Sequence, residues 1–208
     1  MSYHTVIGNF MISAFRMTSF YYLVVGGLVS LFLGGIGLAG NVSSMADLQK
    51  HVHEVASTAT AATVALVSDG GETGSGVIVT PQGLILTAAH VVGGDEIMRV
   101  VFADGRVVKG RVLGANFTRD AAMVQIMGGG NYPHVELGES DGLRVGDFVV
   151  ALGHSKGFDP ERRAPIRMGR LCTDGKQRFL ISECTLIGGD SGGPLFDLSG
   201  KLVGIHSS

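Results

Sequence analysis

The string GGDSGGP, residues 188–194, is the strongest chemical signal in the chain. A serine hydroxyl is a weak nucleophile at neutral pH. It attacks a carbonyl only when a base takes its proton and donors meet the oxyanion that forms. Glycines around Ser191 serve the second need. A backbone without Cβ permits close approach and unusual angles, so the N–H groups of Gly189 and Ser191 can converge on one point. A serine in a bare glycine hairpin reads as a turn, but the seven-residue string is far more restrictive. TAAHVV, residues 87–92, then offers a base: His90 stands just past the apolar run LILTAA, where the chain leaves a strand. A lone histidine at a strand end is usually structural. His4, His51, His53, His134 and His154 have no comparable setting, and a local hydrogen bond is the simpler reading of the strand-end His206. A third group must orient the imidazole and stabilise its charged form. Asp120 in FTRDAAMVQI opens an apolar run, from which its carboxylate can face inward. Alone it does not outrank Asp95 or Asp104, and the match of all three positions selects it.

Positioning such groups takes a rigid frame. From residue 62 onward short β-branched runs alternate with Gly, Asp and Asn: ATVALVS, SGVIVT, LILTAA, IMRVVF, RVVKGRVLG, AAMVQI, DFVVALG, PIRMGRL, RFLISEC, GPLFD and KLVGIHS. Eleven strand candidates at short spacing, with no long helix between them, predict an all-β sandwich or paired barrels. The looser stretch 127–146 is the natural linker between two halves. Before the strands, Ser43 or Ser44 can cap a short helix through ADLQKHVHEVAS, a polar spacer leading into the fold.

The chain has 208 residues, enough for one domain or two small ones. Sixteen basic against eighteen acidic residues leave no surplus to grip a phosphate backbone, so nucleic acid is excluded as a partner. Charged residues make up 16% of the chain, against about 25% in an average soluble protein, and the deficit is concentrated near the N-terminus. Residues 20–39, FYYLVVGGLVSLFLGGIGLA, carry no charge and as a helix reach across a hydrocarbon core of about 30 Å. Arg16 ahead of them keeps residues 1–19 cytoplasmic and the rest extracytoplasmic. A cleaved signal ending at Ala39 is the competing reading, with secretion as its consequence. The expected division is 1–19 lead, 20–39 membrane helix, 40–61 spacer, 62–130 first barrel, and 131–208 linker and second barrel. Cys172 and Cys184 flank a turn at Asp174-Gly175 that sets Cys172 opposite Gln177, which leaves them too far apart for a disulfide. His51 and His53 point to different sides of a helix and make no metal site.

GSGVIVTPQGLILTAAHVV, TRDAAMVQI, LRVGDFVVALGH and GGDSGGPLFDLSGKLVGI together resemble the trypsin-like, chymotrypsin-fold serine proteases, and within them the bacterial HtrA/Deg branch. The resemblance runs from about residue 48 to the end. It implies two six-stranded antiparallel barrels with the site between them, and a His90–Asp120–Ser191 triad cleaving polypeptide substrates in protein quality control without cofactor or metal. It also implies an oxyanion hole at Gly189 and Ser191, Thr185 on the floor of a neutral specificity pocket, Ser207 on the strand that pairs with substrate backbone, and scope for a homo-oligomer. The neutral floor favours small or medium apolar side chains. Two departures accompany it. The sequence provides eleven of the twelve strands, which predicts an incomplete second barrel and keeps open a module that grips peptides without cutting them. Asp190 stands where the branch often has asparagine, and in secreted trypsin-like enzymes the equivalent aspartate pairs with an N-terminal ammonium made by activation cleavage.

Overall fold

The computed structural model describes residues 4–5, 44–177 and 179–207, so the apolar segment 20–39 lies outside the described residues. Among the described residues no helix is long and apolar enough to cross a membrane. Helix α1, Met45–Ala62, starts where Ser44 Oγ accepts the Asp47 N–H at 3.2 Å. It outruns the short helix expected over 46–57. Leu48, Val55, Ala59 and Ala62 continue one buried stripe, and the Thr60 hydroxyl donates to the Ala56 carbonyl at 2.7 Å instead of competing with the helix.

Every one of the eleven apolar runs contains a strand. Strands β2 (Thr63–Val67), β3 (Thr73–Ile78) and β4 (Leu84–Thr87) lead into a single helical turn, α2 (Ala89–Val92). Then come β5 (Ile97–Val101), β6 (Val107–Asn116) and β7 (Ala121–Ile126). These six strands close a barrel in the order β2-β3-β4-β7-β6-β5. A 3-10 turn at Ser140–Gly142 precedes β8 (Phe148–Leu152), β9 (Ile166–Arg170), β10 (Phe179–Leu180), β11 (Pro194–Asp197) and β12 (Leu202–His206). The fold is therefore all-β, with one closed barrel and a second sheet.

That second sheet holds an element the sequence did not announce. His4–Thr5 forms a short strand, β1, and the sheet runs β10-β1-β12-β11-β8-β9. β1 pairs antiparallel with both neighbours, His4 opposite Leu180 and His206, and Thr5 opposite Phe179 and Ile205. β1 thus lies between β10 and β12, where the eleven apolar runs predicted no strand. An isolated bridge from Leu171 to Ser182 links the ends of the sheet.

The apolar runs of β3, β4, β8 and β12 read as continuous because both of their faces are buried. In β8, Val149 and Ala151 belong to the core of the second sheet, while Val150 and Leu152 belong to a cluster shared by α1 and both sheets. β3 and β4 divide likewise: Ile78 and Ile85 fill the closed barrel, and Val77 and Leu86 face the shared cluster. Phe196, fully buried at its centre, accounts for about 2–3 kcal/mol of transfer free energy. This shared cluster fixes one sheet against the other and sets the width of the cleft between them.

Candidate active site

β4 delivers His90 to the cleft. The strand ends at Thr87, and α2 turns the chain so that both the backbone N–H and the ring of His90 face Asp120. His90 N–H donates to Asp120 Oδ1 at 3.0 Å, and Nδ1 lies 2.9 Å from Oδ1 and 2.8 Å from Oδ2. Two anchors on one carboxylate fix both the position and the rotation of the imidazole. Asp120 adopts φ 52°, a left-handed conformation that aspartate tolerates better than most residues. It closes the turn after β6, where Asn116 accepts the Arg119 N–H on its side chain at 3.0 Å. The carboxylate has another donor: Ser207 Oγ lies 2.5 Å from Asp120 Oδ2.

Ser191 arrives from the other sheet. Its carbonyl accepts the Ser75 N–H at 2.8 Å, and Ser75 Oγ donates to the Gly189 carbonyl at 2.7 Å. Ser75 Oγ also accepts the His154 N–H at 2.8 Å, while the Ser75 carbonyl accepts the Thr87 hydroxyl at 2.7 Å. One β3 serine thereby joins the strand that carries His90 to the loop that carries Ser191. Gly192 shows how close that approach is: at φ 82°, an added Cβ would collide with Ser75 O and Thr87 Oγ1 and stand 2.9 Å from Ala88 N. The loop is also tied to β12, since Gly192 N–H donates to His206 O and His206 N–H to Gly193 O, each at 2.8 Å.

The peptide preceding Gly189 has a fixed orientation. Gly188 O accepts the Lys156 N–H at 2.6 Å, and in a trans peptide the following N–H points the opposite way. The Gly189 N–H is therefore directed away from the Lys156 loop. Gly189 has φ 96°, and a Cβ there would lie 2.6 Å from His154 O and 2.7 Å from Lys156 N. Only glycine fits.

Behind this loop lies Asp190, completely buried. Its Oδ1 accepts the Ser155 hydroxyl at 2.6 Å, and its Oδ2 accepts the Ile187 N–H at 2.8 Å and meets Arg167 Nη2 at 3.1 Å. Arg167 also donates to Ser155 Oγ at 2.6 Å, and the Ser155 carbonyl accepts Arg162 Nη2 at 2.7 Å.

Of the residues singled out by sequence, His90 and Asp120 are in direct contact, and Ser191 and Gly189 share the loop that Ser75 fastens against the same strand end. Thr185 is exposed, between the Ser182 bridge and the Gly188 turn. Ser207 follows β12 directly, and its contact with Asp120 is made by its hydroxyl. His206 is fully buried, which takes its ring out of reach of a substrate. The sequence reading passed over Ser75, Ser155 and Arg167. The glycines flanking Ser75 within a strand were the one available sign of a close backbone approach. Cys172 and Cys184 are both free, one exposed and one buried. The turn between their strands differs from the two-residue hairpin expected: Cys172 N–H donates to Ile181 O at 2.7 Å, so Cys172 does not face Gln177. Among the described residues no cluster of His, Cys, Asp or Glu could hold a metal ion.

Two sheets, with a histidine–aspartate pair on one and a serine in a glycine loop on the other, define a peptidase-type architecture. The chain belongs to the trypsin-like peptidase family, whose domain matches residues 74–205. Relatives include a putative serine protease HhoB of Synechocystis sp., 35% identical over 65% of this chain and 34% of that protein. A probable periplasmic serine endoprotease DegP-like of Ectopseudomonas mendocina is 39% identical over 64% of this chain and 29% of its own. Periplasmic serine endoprotease DegP of Escherichia coli is 33% identical over 65% and 30%. The chain thus spans about a third of the length of these curated relatives. Among solved structures, the HtrA-type protease AlgW with tripeptide superposes with a TM-score of 0.66 at 28% identity, covering 74% of this chain and 53% of that one.

Proposed function

We propose that the chain is a serine endopeptidase working through an acyl-enzyme. Ser191 Oγ attacks a peptide carbonyl carbon while His90 takes the hydroxyl proton at Nε2, its Nδ1 being held by Asp120. The new oxyanion is received by the N–H groups of Gly189 and Ser191. As the intermediate collapses, the C–N bond breaks and the departing amine leaves with the proton from His90. Water then attacks the ester, His90 again serving as base, and Ser191 is released. The reaction calls for neither cofactor nor metal.

The observation that carries this reading is the double grip of Asp120 on the His90 N–H and Nδ1, at 3.0 and 2.8 Å. It presents Nε2 to the cleft in the tautomer a base needs. The direction of the Gly189 N–H supports the oxyanion assignment. The neutral Thr185 near the loop favours small or medium apolar side chains over Lys or Arg. Residues 20–39 serve as a membrane tether, and the periplasmic naming of two relatives favours an extracytoplasmic peptidase engaged in protein quality control. The test is Ser191→Ala in the full chain, with fluorescently labelled casein as substrate. Hydrolysis should fall on the order of 10⁶-fold if the three residues act as a unit. Hydrolysis unchanged by this substitution rules the reading out.

A further inference from the structure

Resting on that reading, we propose that Arg167 is a positioning residue for the oxyanion loop: an internal cation that holds Asp190, and through it the backbone of residues 187–193, in the shape that presents the Gly189 and Ser191 N–H groups. Trypsin-like enzymes that need activation cleavage obtain this cation from a new chain terminus. Here a β9 side chain supplies it, and the loop is organised in the uncut chain.

The chain of contacts is continuous. Arg167 Nη2 meets Asp190 Oδ2 at 3.1 Å and donates to Ser155 Oγ at 2.6 Å, and Ser155 Oγ donates to Asp190 Oδ1 at 2.6 Å. Guanidinium, hydroxyl and carboxylate therefore form a closed triangle. Asp190 passes the constraint on: its Oδ2 accepts the Ile187 N–H at 2.8 Å, its N–H donates to Ile187 O at 3.0 Å, and its carbonyl accepts the Gly193 N–H at 2.9 Å. Those three bonds clamp the loop on both sides of Gly189 and Ser191. The carboxylate has no exposure, and the Arg167 side chain is 16% exposed. Removing one member of such a pair leaves the other charge uncompensated, and the buried carboxylate can regain water only by opening the loop. Among the described residues Arg167 Nη1 is buried without a hydrogen-bond partner, so the guanidinium is held there by its Nη2 side. Surface ion pairs such as Lys50–Glu54, at 3.8 Å and mostly exposed, have no comparable reach.

The experiment compares the full chain with Arg167→Met, Arg167→Lys, Arg167→Met/Asp190→Asn and Ser191→Ala. It measures the rate of labelling by a fluorophosphonate probe, and kcat and KM on labelled casein per titrated active site, well below each melting temperature. Arg167→Met should label about 10²–10³-fold more slowly, the loss typical of a missing oxyanion donor, with a comparable fall in kcat and a KM that stays within about threefold of the parent. The double variant, which no longer buries a lone charge, should return to within about tenfold of the parent, with the lysine variant in between. A role in stability alone would lower the melting temperature and leave the rate per active site unchanged. The intact mass of the labelled parent should equal the uncut chain plus probe. The inference is overturned if folded Arg167→Met labels at the parental rate, if the double variant is as slow as the single, or if only a cut chain labels. Should Arg167→Met fail to fold, the double variant decides: near-parental labelling supports the inference and slow labelling overturns it. A parent that does not label at Ser191 overturns both this inference and the reading beneath it. A silent Ser191→Ala beside an unaffected Arg167→Met overturns this one alone.

Discussion

His154 is 3% exposed, its ring 5.9 Å from that of Phe158 and its Nε2 3.5 Å from the Thr63 carbonyl. Burial pushes its pKa below the usual 6.5, and Arg162 adds to the fall, against the opposing influence of the Thr63 carbonyl and Asp190. The fold therefore holds a neutral imidazole. Above about pH 6.5 folded and unfolded chains are both neutral here, and the contribution to stability is complete. As pH drops below that value the unfolded chain takes up a proton that the fold resists, and stability is lost until the lower folded pKa is passed. The melting temperature should fall between pH 6.5 and 5. His154→Asn, which has no titrating ring, should show a shallower fall over the same range. Parallel curves for the two chains would remove His154 from the account. At this scale the sequence was legible where a residue type is itself chemical: His90 and Asp120, drawn from separate strings, are in contact, and Ser191 stands in the glycine loop that Ser75 fastens to β3. Ser75 was not legible, because its partners Gly189 and His154 are 114 and 79 positions away and a lone serine on a strand carries no mark of them. Asp190 stood out in the sequence as a departure without a named partner, and Arg167 read as an ordinary charge until the fold brings the two together.

Among the elements, β3 has the widest reach. It lies between β2 and β4 in the closed barrel, and through Ser75 it also holds the loop that ends at β11. Replacing Ser75 by Ala leaves the backbone bonds of that residue in place and removes two side-chain bonds. The His154 N–H and the Gly189 carbonyl then lack a partner inside the protein. Each such loss is worth about 1–3 kcal/mol, and for a chain of this size each kcal/mol corresponds to about 2–4 °C. A melting temperature lower by roughly 4–24 °C is expected, with a fluorophosphonate labelling rate reduced even in the folded population. A drop in stability with labelling unchanged would show Ser75 to be a fastener of the barrels and nothing more. Strand positions were readable because each strand is an apolar run bounded by turn residues. Strand neighbours were not, since local pattern does not encode which run lies beside which. The loop after β9 illustrates the limit: Asp174-Gly175 suits a tight hairpin, yet the Gly175 N–H bonds to Leu143 O at 3.0 Å and the Ile181 N–H to Thr173 Oγ1 at 2.9 Å. Tertiary partners overrode the local turn signal. β1 was invisible for a simpler reason: at two polar residues it is too short to carry a strand pattern of its own.

At the scale of the whole molecule, the proposed tether and β1 make opposite demands. If residues 20–39 cross a bilayer, the residues before them lie on the far side of about 30 Å of hydrocarbon from the barrels. His4 and Thr5 then cannot pair with Leu180, Phe179, His206 and Ile205. If β1 is seated between β10 and β12, residues 4–5 share a compartment with the site, and residues 20–39 cannot be a single crossing. A single cysteine introduced as His4→Cys, in a chain with Cys172 and Cys184 replaced by Ser, separates the two arrangements in intact cells and in opened membranes. The tethered arrangement predicts no reaction with a membrane-impermeant maleimide from the outside, rapid reaction once the cytoplasmic face is exposed, and retention of the chain in the membrane after carbonate washing. Labelling from outside that is slowed by folding, with release of the chain by carbonate, would instead place β1 in the sheet and withdraw the tether.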